Sequence, residues 1–380
     1  MLDDQAMRAA LGLAARGLGR VWPNPAVGCV LLDAQERVAG RGWTQPGGRP
    51  HAERVALDQA GERARGGTAY VTLEPCSHYG QTPPCAEALI AAGVARVVVA
   101  LGDPDPRVNG RGLARLRAAG VVVETGLREA EARELALGFL LHRTQGRPLV
   151  TLKVAASLDG RIATARGESQ WITGPEARAV GHGLRATHDA IAVGLATVRA
   201  DDPVLTCRLP GLEERSPVRV VFDARLDLPL TSRLAQEARL GPPVWVVGTP
   251  AADPARRAAL EALGLRVLGV AADDQGRPRI DKALEVLADL GVTRLLVEGG
   301  ARLSAAFLAA RRVDRLAWFT APKLLGGDAL AAVAPFGVDR LADCALFEPQ
   351  GCGFLGADRL DILALPEGVT SACLPASLPT

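Results

Sequence analysis

Three residues with metal-binding side chains stand where strand-like runs hand over to helical ones, and this placement constrains the chain more than anything else in it. His51-Ala52-Glu53 follows the turn QPGGRP and opens a helical stretch; Pro75-Cys76 ends the strand-like run GTAYVTLEPC; Pro84-Cys85 opens the helical run AEALIAAGV. Such junctions lie at the carboxyl ends of strands, where open α/β sheets hold their ligands. One imidazole and two thiolates suit zinc, and three protein ligands leave the fourth tetrahedral position to water, the pattern of a catalytic centre. His51 and Glu53 are two apart and do not share one face of a regular helix. Straddling the helix start, they would put one side chain on the metal and the other on its water. Zinc lowers the pKa of that water to about 7, and a nearby carboxylate can take its proton and pass it to a leaving group. Two other readings of the same residues stand beside this one: a closed site with His78 as fourth ligand, and no metal at all.

The 380 residues suggest two domains of ordinary size. Around the ligand positions, VGCVLL and RVAGRGWT read as a hairpin, followed by alternating helical and strand-like runs through VVVET. The alternation predicts an α/β domain with helices on both faces of a sheet. A junction helix, REAEARELALGFLLHRTQG, leads to Arg147 and Pro148, so the domains read as 1–146 and 147–366, with 367–380 a disordered tail. The second half alternates again, with RPLVTLKVAAS, AIAVG, VRVVFDA, VWVVG and TRLLVEGG as strand-like runs, and repeats nothing of the first.

A net charge of +2, from 44 basic and 42 acidic residues, gives no overall positive field to gather nucleic acid or an anionic membrane. The amino end lacks the basic-then-apolar pattern of a secretory signal, and no apolar run approaches the roughly 20 residues that span a bilayer. The expected location is therefore cytoplasmic. Seven cysteines are too few for a disulfide scaffold. Cys29, Cys207, Cys344, Cys352 and Cys373 match no ligand spacing, and most read as small buried hydrophobes. Of the basic residues only Lys153, Lys282 and Lys323 are lysine, which asks of each whether a compact ammonium is needed there. Lys282 lies in an amphipathic helical pattern and reads as solvated.

Zinc deaminases carry H-x-E followed by P-C-x-x-C, with the Glu as general acid and base. Here eight residues, SHYGQTPP, separate the cysteines. HAE with EPCSHYGQTPPC, preceded by PNPAVGCVL, resembles the deaminase half of the bifunctional deaminase/reductase family of riboflavin biosynthesis. The resemblance implies a cytidine-deaminase-like three-layer domain that hydrolyses the 2-amino group from 2,5-diamino-6-(5-phosphoribosylamino)pyrimidin-4(3H)-one. In it, His51, Cys76 and Cys85 would hold zinc and Glu53 would move the protons. Asn24 reads either as a base-edge contact or as a turn residue between two prolines, and His78 either as part of the substrate pocket or as a surface-loop histidine.

The second half offers softer physical signals. VEGGARL follows a strand and opens a helix, so its glycines could let backbone N–H groups reach a phosphate. GESQWITG and ATVRADDPVLTCR are polar segments that would pass for surface loops. Together with LVTLKVAASLDGRIAT and APKLLGG, these runs resemble the same family's reductase half. That implies a dihydrofolate-reductase-like domain that uses NADPH to reduce the ribosyl group of the deaminated product to ribityl. By that resemblance Ser169, Arg185, Leu205, Arg208 and Glu298 contact substrate, while Ala155, Trp171, Thr197, Asp201, Gly299 and Gly300 line the NADPH site. Lys153 reads as a substrate contact or as a solvated strand-end lysine. The expected partner is a small pyrimidine ribosyl phosphate, with neither nucleic acid nor membrane, and the resemblance implies a homo-oligomer.

Rival readings are a nucleic-acid or nucleoside zinc deaminase with a non-catalytic second domain, a binding module with purely structural zinc, and a deaminase whose second domain is an assembly scaffold. Polynucleotide editing needs a basic channel and stacking aromatics; aromatic residues are only 4% of this chain.

Overall fold

A computed structural model describes residues 2–79, 83–105 and 109–366, and the chain divides into two compact units after Arg147. The tail from 367, with Cys373 in it, lies outside the described residues.

The first unit runs α1 (Leu2–Ala14), β1 (Gly28–Leu32), β2 (Val38–Trp43), α2 (Ala52–Ala60), β3 (Thr68–Val71), α3 (Cys85–Ala91), β4 (Arg96–Val99), α4 (Arg111–Ala118), β5 (Val122–Thr125) and α5 (Glu129–Gln145). Its five-stranded sheet has the order β2-β1-β3-β4-β5, antiparallel from β2 to β3 and parallel from β3 to β5. Past Thr68 and Arg96 at their starts, the central strands are apolar, as strands covered on both faces must be, and Leu31, Val71, Val97 and Val99 are fully buried.

Glycines set how closely the helices approach. A Cβ on Gly28 would lie 1.9 Å from the Ala10 carbonyl oxygen of α1. On β2, a Cβ on Gly40 or Gly42 would lie 2.1 Å from the carbonyl oxygen of Ala56 or Ala52 in α2. Gly40 and Gly42 pair with Leu31 and Cys29, opposite in strand parity to Gly28. Side chains alternate between faces along a strand, so α1 and α2 cover opposite faces of the sheet and the unit has three layers.

The second unit contains β6 (Leu149–Ser157), β7 (Arg161–Ala163), α6 (Pro175–Ala186), β8 (Ala190–Gly194), α7 (Leu195–Asp201), β9 (Val218–Phe222), α8 (Arg233–Gln236), β10 (Val244–Gly248), α9 (Pro254–Ala262), β11 (Arg266–Gly269), α10 (Ile280–Asp289), β12 (Arg294–Val297), α11 (Ala301–Ala309), β13 (Arg315–Ala321), β14 (Leu330–Ala331), β15 (Glu348–Leu355) and β16 (Asp358–Ala364). Among the described residues its main sheet is nine-stranded, in the order β11-β10-β9-β8-β12-β6-β13-β16-β15. It is parallel from β11 to β13 and closes on an antiparallel hairpin. β12 enters between β6 and β8, held by the buried Asp189 carboxylate, which accepts from the Thr293 N–H and hydroxyl and the Arg294 N–H.

β13, β15 and β16 are not among the strand-like runs read from the sequence. Edge strand β15 is exposed along nearly its whole length, so no core face imposes an apolar alternation, and pairing with β16 defines it instead. This also corrects the reading of the lone cysteines: Cys29 and Cys207 are buried, but Cys352 is exposed on β15 and Cys344 is half-buried. Lys282 is a surface residue paired with Glu285. Among the described residues no helix is long and apolar enough to cross a membrane.

Replacing Gly40 by Ala should force α2 away from β2 and cost about 1–3 kcal/mol, the usual range for overpacking. Hydrogen exchange read by mass spectrometry checks this: exchange should quicken over residues 38–60 and stay unchanged over 149–364.

Candidate functional site

In the first unit, His51 is the extended residue that precedes α2, and its side chain makes no capping bond, which leaves the ring free to face away from the helix. Its Nδ1 lies 3.3 Å from the Cys85 Sγ and 3.7 Å from the Cys76 Sγ. Cys85 begins α3, where its backbone N–H donates to the Cys76 sulfur at 3.2 Å. A tetrahedral zinc, with Zn–S near 2.3 Å and Zn–N near 2.0–2.1 Å, spaces such donors by about 3.6–3.8 Å. The three donor atoms lie within 4.8 Å of one another and form the one such metal-holding group among the described residues. His78 lines the same cavity outside that group.

Protonation in the cluster also fits a cation. Hydrogen bonds from Cys85 and His51 hold the Cys76 thiol down to about 4 despite its burial. The Cys85 thiol is pushed well up, by its bond to Cys76 and by burial. A dication between the sulfurs would let both ionise. Glu53, in the first turn of α2 and only 3% exposed, has its carboxyl raised to about 7 by burial and by the negative Cys76. A carboxyl poised near neutrality suits a group that must take up and release a proton.

His51, Glu53 and Cys76 open on a cavity of about 430 Å³, also lined by Asn24 and His78. Gly48 lies against Asn24 so closely that a Cβ there would meet its Nδ2 at 2.0 Å, which fixes the asparagine at the cavity wall. His78 has a buried Nδ1 with no hydrogen-bond partner among the described residues. Sequence reasoning missed another part of the lining: an acidic wall of Asp103 and Asp105, with Phe139 and Arg143 from α5, and Arg49. Burial raises the Asp103 carboxyl to about 6, and Arg143 pairs with Asp105 at 3.4 Å. Asp103 and Asp105 follow the carboxyl end of β4, so the strand-end rule applied to Cys76 would have found them. Nothing in the sequence shows which face of α5 meets the cavity.

In the second unit the register aligns β12 with β6, Val297 opposite Leu152, which brings Glu298 level with Lys153. The Lys153 Nζ lies 4.0 Å from Glu298 and 5.6 Å from the Phe319 ring centre. Arg185, from α6, donates from Nε and Nη2 to the two Glu298 oxygens, both at 2.8 Å, and from Nη1 to the Thr206 carbonyl at 2.9 Å. The Arg208 N–H donates to His182 Nδ1 at 3.2 Å. His182, missed in the sequence, lies three residues before Arg185 on α6, and positions three apart share a helix face. Burial, with the guanidiniums of Arg185 and Arg208, holds its imidazole below the ordinary range. Lys153, Arg185 and Arg208 form a cationic cluster around a buried carboxylate, with the His182 imidazole kept neutral among them.

Beside it, Gly299 and Gly300 turn from β12 into α11. A Cβ on Gly299 would lie 2.7 Å from the Val193 Cα, and one on Gly300 2.8 Å from the Thr197 hydroxyl. The turn, the end of β8 and Thr197 thus meet at the carboxyl ends of parallel strands. Asp201, one turn beyond Thr197, accepts from the Ser169 hydroxyl at 3.4 Å. Ala155 lies two residues along β6 from Lys153, on the same face. Trp171 stands outward at 58% exposure, with the Arg178 guanidinium 4.5 Å from its ring centre and Lys323 donating to its carbonyl at 2.8 Å. The Leu205 side chain is buried in the hydrophobic core, which leaves only its backbone to meet a ligand.

Comparison with known proteins gives each unit a family match. Residues 1–101 match the cytidine and deoxycytidylate deaminase zinc-binding region, and residues 148–352 match the RibD C-terminal domain. The riboflavin biosynthesis protein RibD of Escherichia coli (strain K12) is 42% identical over 369 residues, 94% of this chain and 98% of that protein. Its counterpart in Bacillus amyloliquefaciens is 42% identical, covering 86% of each chain. Among solved structures, Acinetobacter baumannii RibD matches with a TM-score of 0.85 at 41% identity, covering 96% of this chain and 99% of that one. A Thermotoga maritima diaminohydroxyphosphoribosylaminopyrimidine deaminase/5-amino-6-(5-phosphoribosylamino)uracil reductase matches with a TM-score of 0.83 at 33% identity, over the same shares. The two units have the cytidine-deaminase-like and dihydrofolate-reductase-like folds.

The Glu298 pair carries a pH signature. Burial alone would raise this carboxyl, but Arg185, with Lys153 and His182 beyond, holds it down to about 2 from an ordinary 4.5. A depressed carboxylate stabilises the fold above its unfolded pKa and loses that contribution as the pH falls through the folded one. Stability of the second unit should therefore decline between about pH 4.5 and 2, and Glu298→Gln should flatten that decline in denaturant titrations.

Proposed function

The chain belongs to the RibD family of riboflavin-biosynthesis proteins, zinc deaminase and NADPH-dependent reductase in one polypeptide, and from that premise we propose a role for each site residue. The substrate is the diaminopyrimidinone ribosyl phosphate. His51, Cys76 and Cys85 would hold the zinc, which when bound supplies a water acidified toward neutrality. Glu53 takes one proton from the attacking water and gives it to the ring nitrogen, then takes the second from the hydroxyl now on the ring carbon and gives it to the departing amine, so that a carbonyl forms, water enters and ammonia leaves. Asn24 and His78 hold the pyrimidine against this centre. The observation that carries the reading is the buried Glu53 carboxyl in the first turn of α2, which lines the same cavity as His51 and Cys76, two of the three grouped metal donors.

In the second unit, NADPH supplies the hydride that converts the ribosyl group to ribityl, and the protein supplies orientation. Arg185 and Arg208 bind the substrate phosphate. Lys153 and Glu298 bracket the reacting sugar, with Ser169 and the Leu205 backbone as further contacts. The Gly299–Gly300 turn and Thr197 take the cofactor where parallel strands end, with Ala155, Trp171 and Asp201 along its path. The cavity size and nearly balanced charge favour a free nucleotide over nucleic acid or a membrane surface. A cytoplasmic homo-oligomer fits the reading.

Ammonia release and NADPH oxidation followed together test it. Wild type should do both. Glu53→Ala should lose ammonia release by about 10²–10⁴-fold, the usual worth of a general acid–base group, yet still oxidise NADPH when given the deaminated intermediate. Ammonia release without NADPH consumption by wild type would overturn the reading of the second unit, and a Glu53→Ala enzyme that deaminates normally would overturn that of the first.

A further inference from the structure

Cys76 and the Asp103–Asp105 wall come from different strand ends yet line one cavity, and something must hold them at a set separation. Glu74 lies two residues before Cys76, is 4% exposed and borders the cavity. Its Oε1 accepts from the N–H of Gly112 at 3.0 Å and of Leu113 at 3.4 Å. Its Oε2 accepts from the N–H of Gly110 at 3.0 Å and of Asp103 at 3.5 Å. These donors are the start of α4 and the first acid of the wall.

α4 cannot satisfy its own leading amides in the usual way. The residue that precedes it is Gly110, which has no side chain to bond them. Buried amides left unpaired are costly, and a carboxylate at a helix start also meets the positive end of the helix dipole. Glu74 meets both needs from another segment. The same joint is closed by Gly112, where a Cβ would lie 2.2 Å from the Pro75 carbonyl oxygen and 3.2 Å from Glu74 Oε1. The backbone of α4 is therefore seated on the peptide that leads into Cys76. Asp103 in turn accepts from the Asp105 N–H at 2.8 Å, so both acids are tied to the joint.

We propose that Glu74 is a positioning residue for deamination: its carboxylate joins the Cys76 segment to the start of α4 and so sets the distance between the metal-holding group and the acidic wall that faces the substrate. The proposal rests on the deaminase reading of the first unit. It separates two jobs in one cavity, with His51, Cys76, Cys85 and Glu53 carrying the chemistry and the wall gripping the substrate. Loosening the joint moves the grip relative to the chemistry and leaves the metal donors in place.

Two variants of the full-length, zinc-loaded enzyme test this by independent routes. Glu74→Gln keeps the shape but turns one acceptor into an N–H₂ group that faces backbone N–H donors. Gly112→Ala leaves the carboxylate intact and pushes α4 off Pro75. Both should raise KM for ammonia release about tenfold while kcat stays within about threefold, the signature of lost substrate grip rather than lost transition-state chemistry. Zinc should stay at the wild-type content per chain, and NADPH oxidation with the deaminated intermediate should be unchanged. A lowered melting temperature with wild-type KM in both variants would reduce Glu74 to a helix cap and overturn the proposal, as would zinc loss in step with activity. If Glu74→Gln does not fold, Gly112→Ala decides by the same ratio, and a wild-type KM there overturns it. A wild type that releases no ammonia sinks the deaminase reading itself, whereas an active wild type with two kinetically silent variants sinks this inference alone.

Discussion

The flush seating of α2 on β2 is the contact on which the first site depends. Helix backbone meets strand backbone because Gly40 and Gly42 have no Cβ to hold them apart. That contact carries His51 and Glu53 to the carboxyl end of β3, where Cys76 and the start of α3 wait. The consequence is chemical as well as geometric. Glu53 lies deep enough for burial and the neighbouring thiolate to lift its carboxyl to about 7, and an exposed carboxylate would have no reason to leave its ordinary range. A packing requirement between two backbones thereby shifts the protonation of a carboxyl beside the metal-holding group.

The second unit meets a different constraint. Glu298 is buried, and burying a carboxylate costs more than any single contact returns unless its oxygens are filled. Arg185 fills both, and Lys153 adds positive charge nearby. Such a pair is weak evidence for stability, since apolar replacements often serve a fold equally well. Its presence beside the Gly299–Gly300 turn makes better sense as a preset electrostatic site for an anionic substrate. The arginine bias of the chain sharpens this. Where a fixed planar fork is wanted the site uses arginine; at Lys153, half-buried between a carboxylate and a phenyl ring, it uses a compact ammonium whose charge burial holds below its ordinary range.

Both units follow one rule of placement, with functional groups gathered where parallel strands end. In the first unit the gathered groups are soft donors around a small cavity. In the second they are cations around a carboxylate and a glycine turn. The chain thus presents two unlike chemistries through two cores of the same architectural class.

The strong local signals were legible in the sequence. His51, Glu53, Cys76 and Cys85 stand out because their spacing and flanking prolines mark strand-to-helix junctions, and parallel strands such as VWVVG announce themselves by unbroken apolar runs. Asp103, Asp105, Arg143 and His182 were not legible as site residues, because acids, arginines and histidines are ordinary on surfaces and only the packing of β4, α5 and α6 shows which way they face. Strand β15 escaped for the opposite reason: an exposed edge strand has no buried face to write a pattern. The sequence by itself determined which donors exist and at which junctions they fall, since these depend on neighbours along the chain. Tertiary structure alone decided the close seating of α2, the level at which Glu298 meets Lys153 and the bond from Glu74 to a helix some 36 residues later, because each depends on distances between segments that local propensity does not encode.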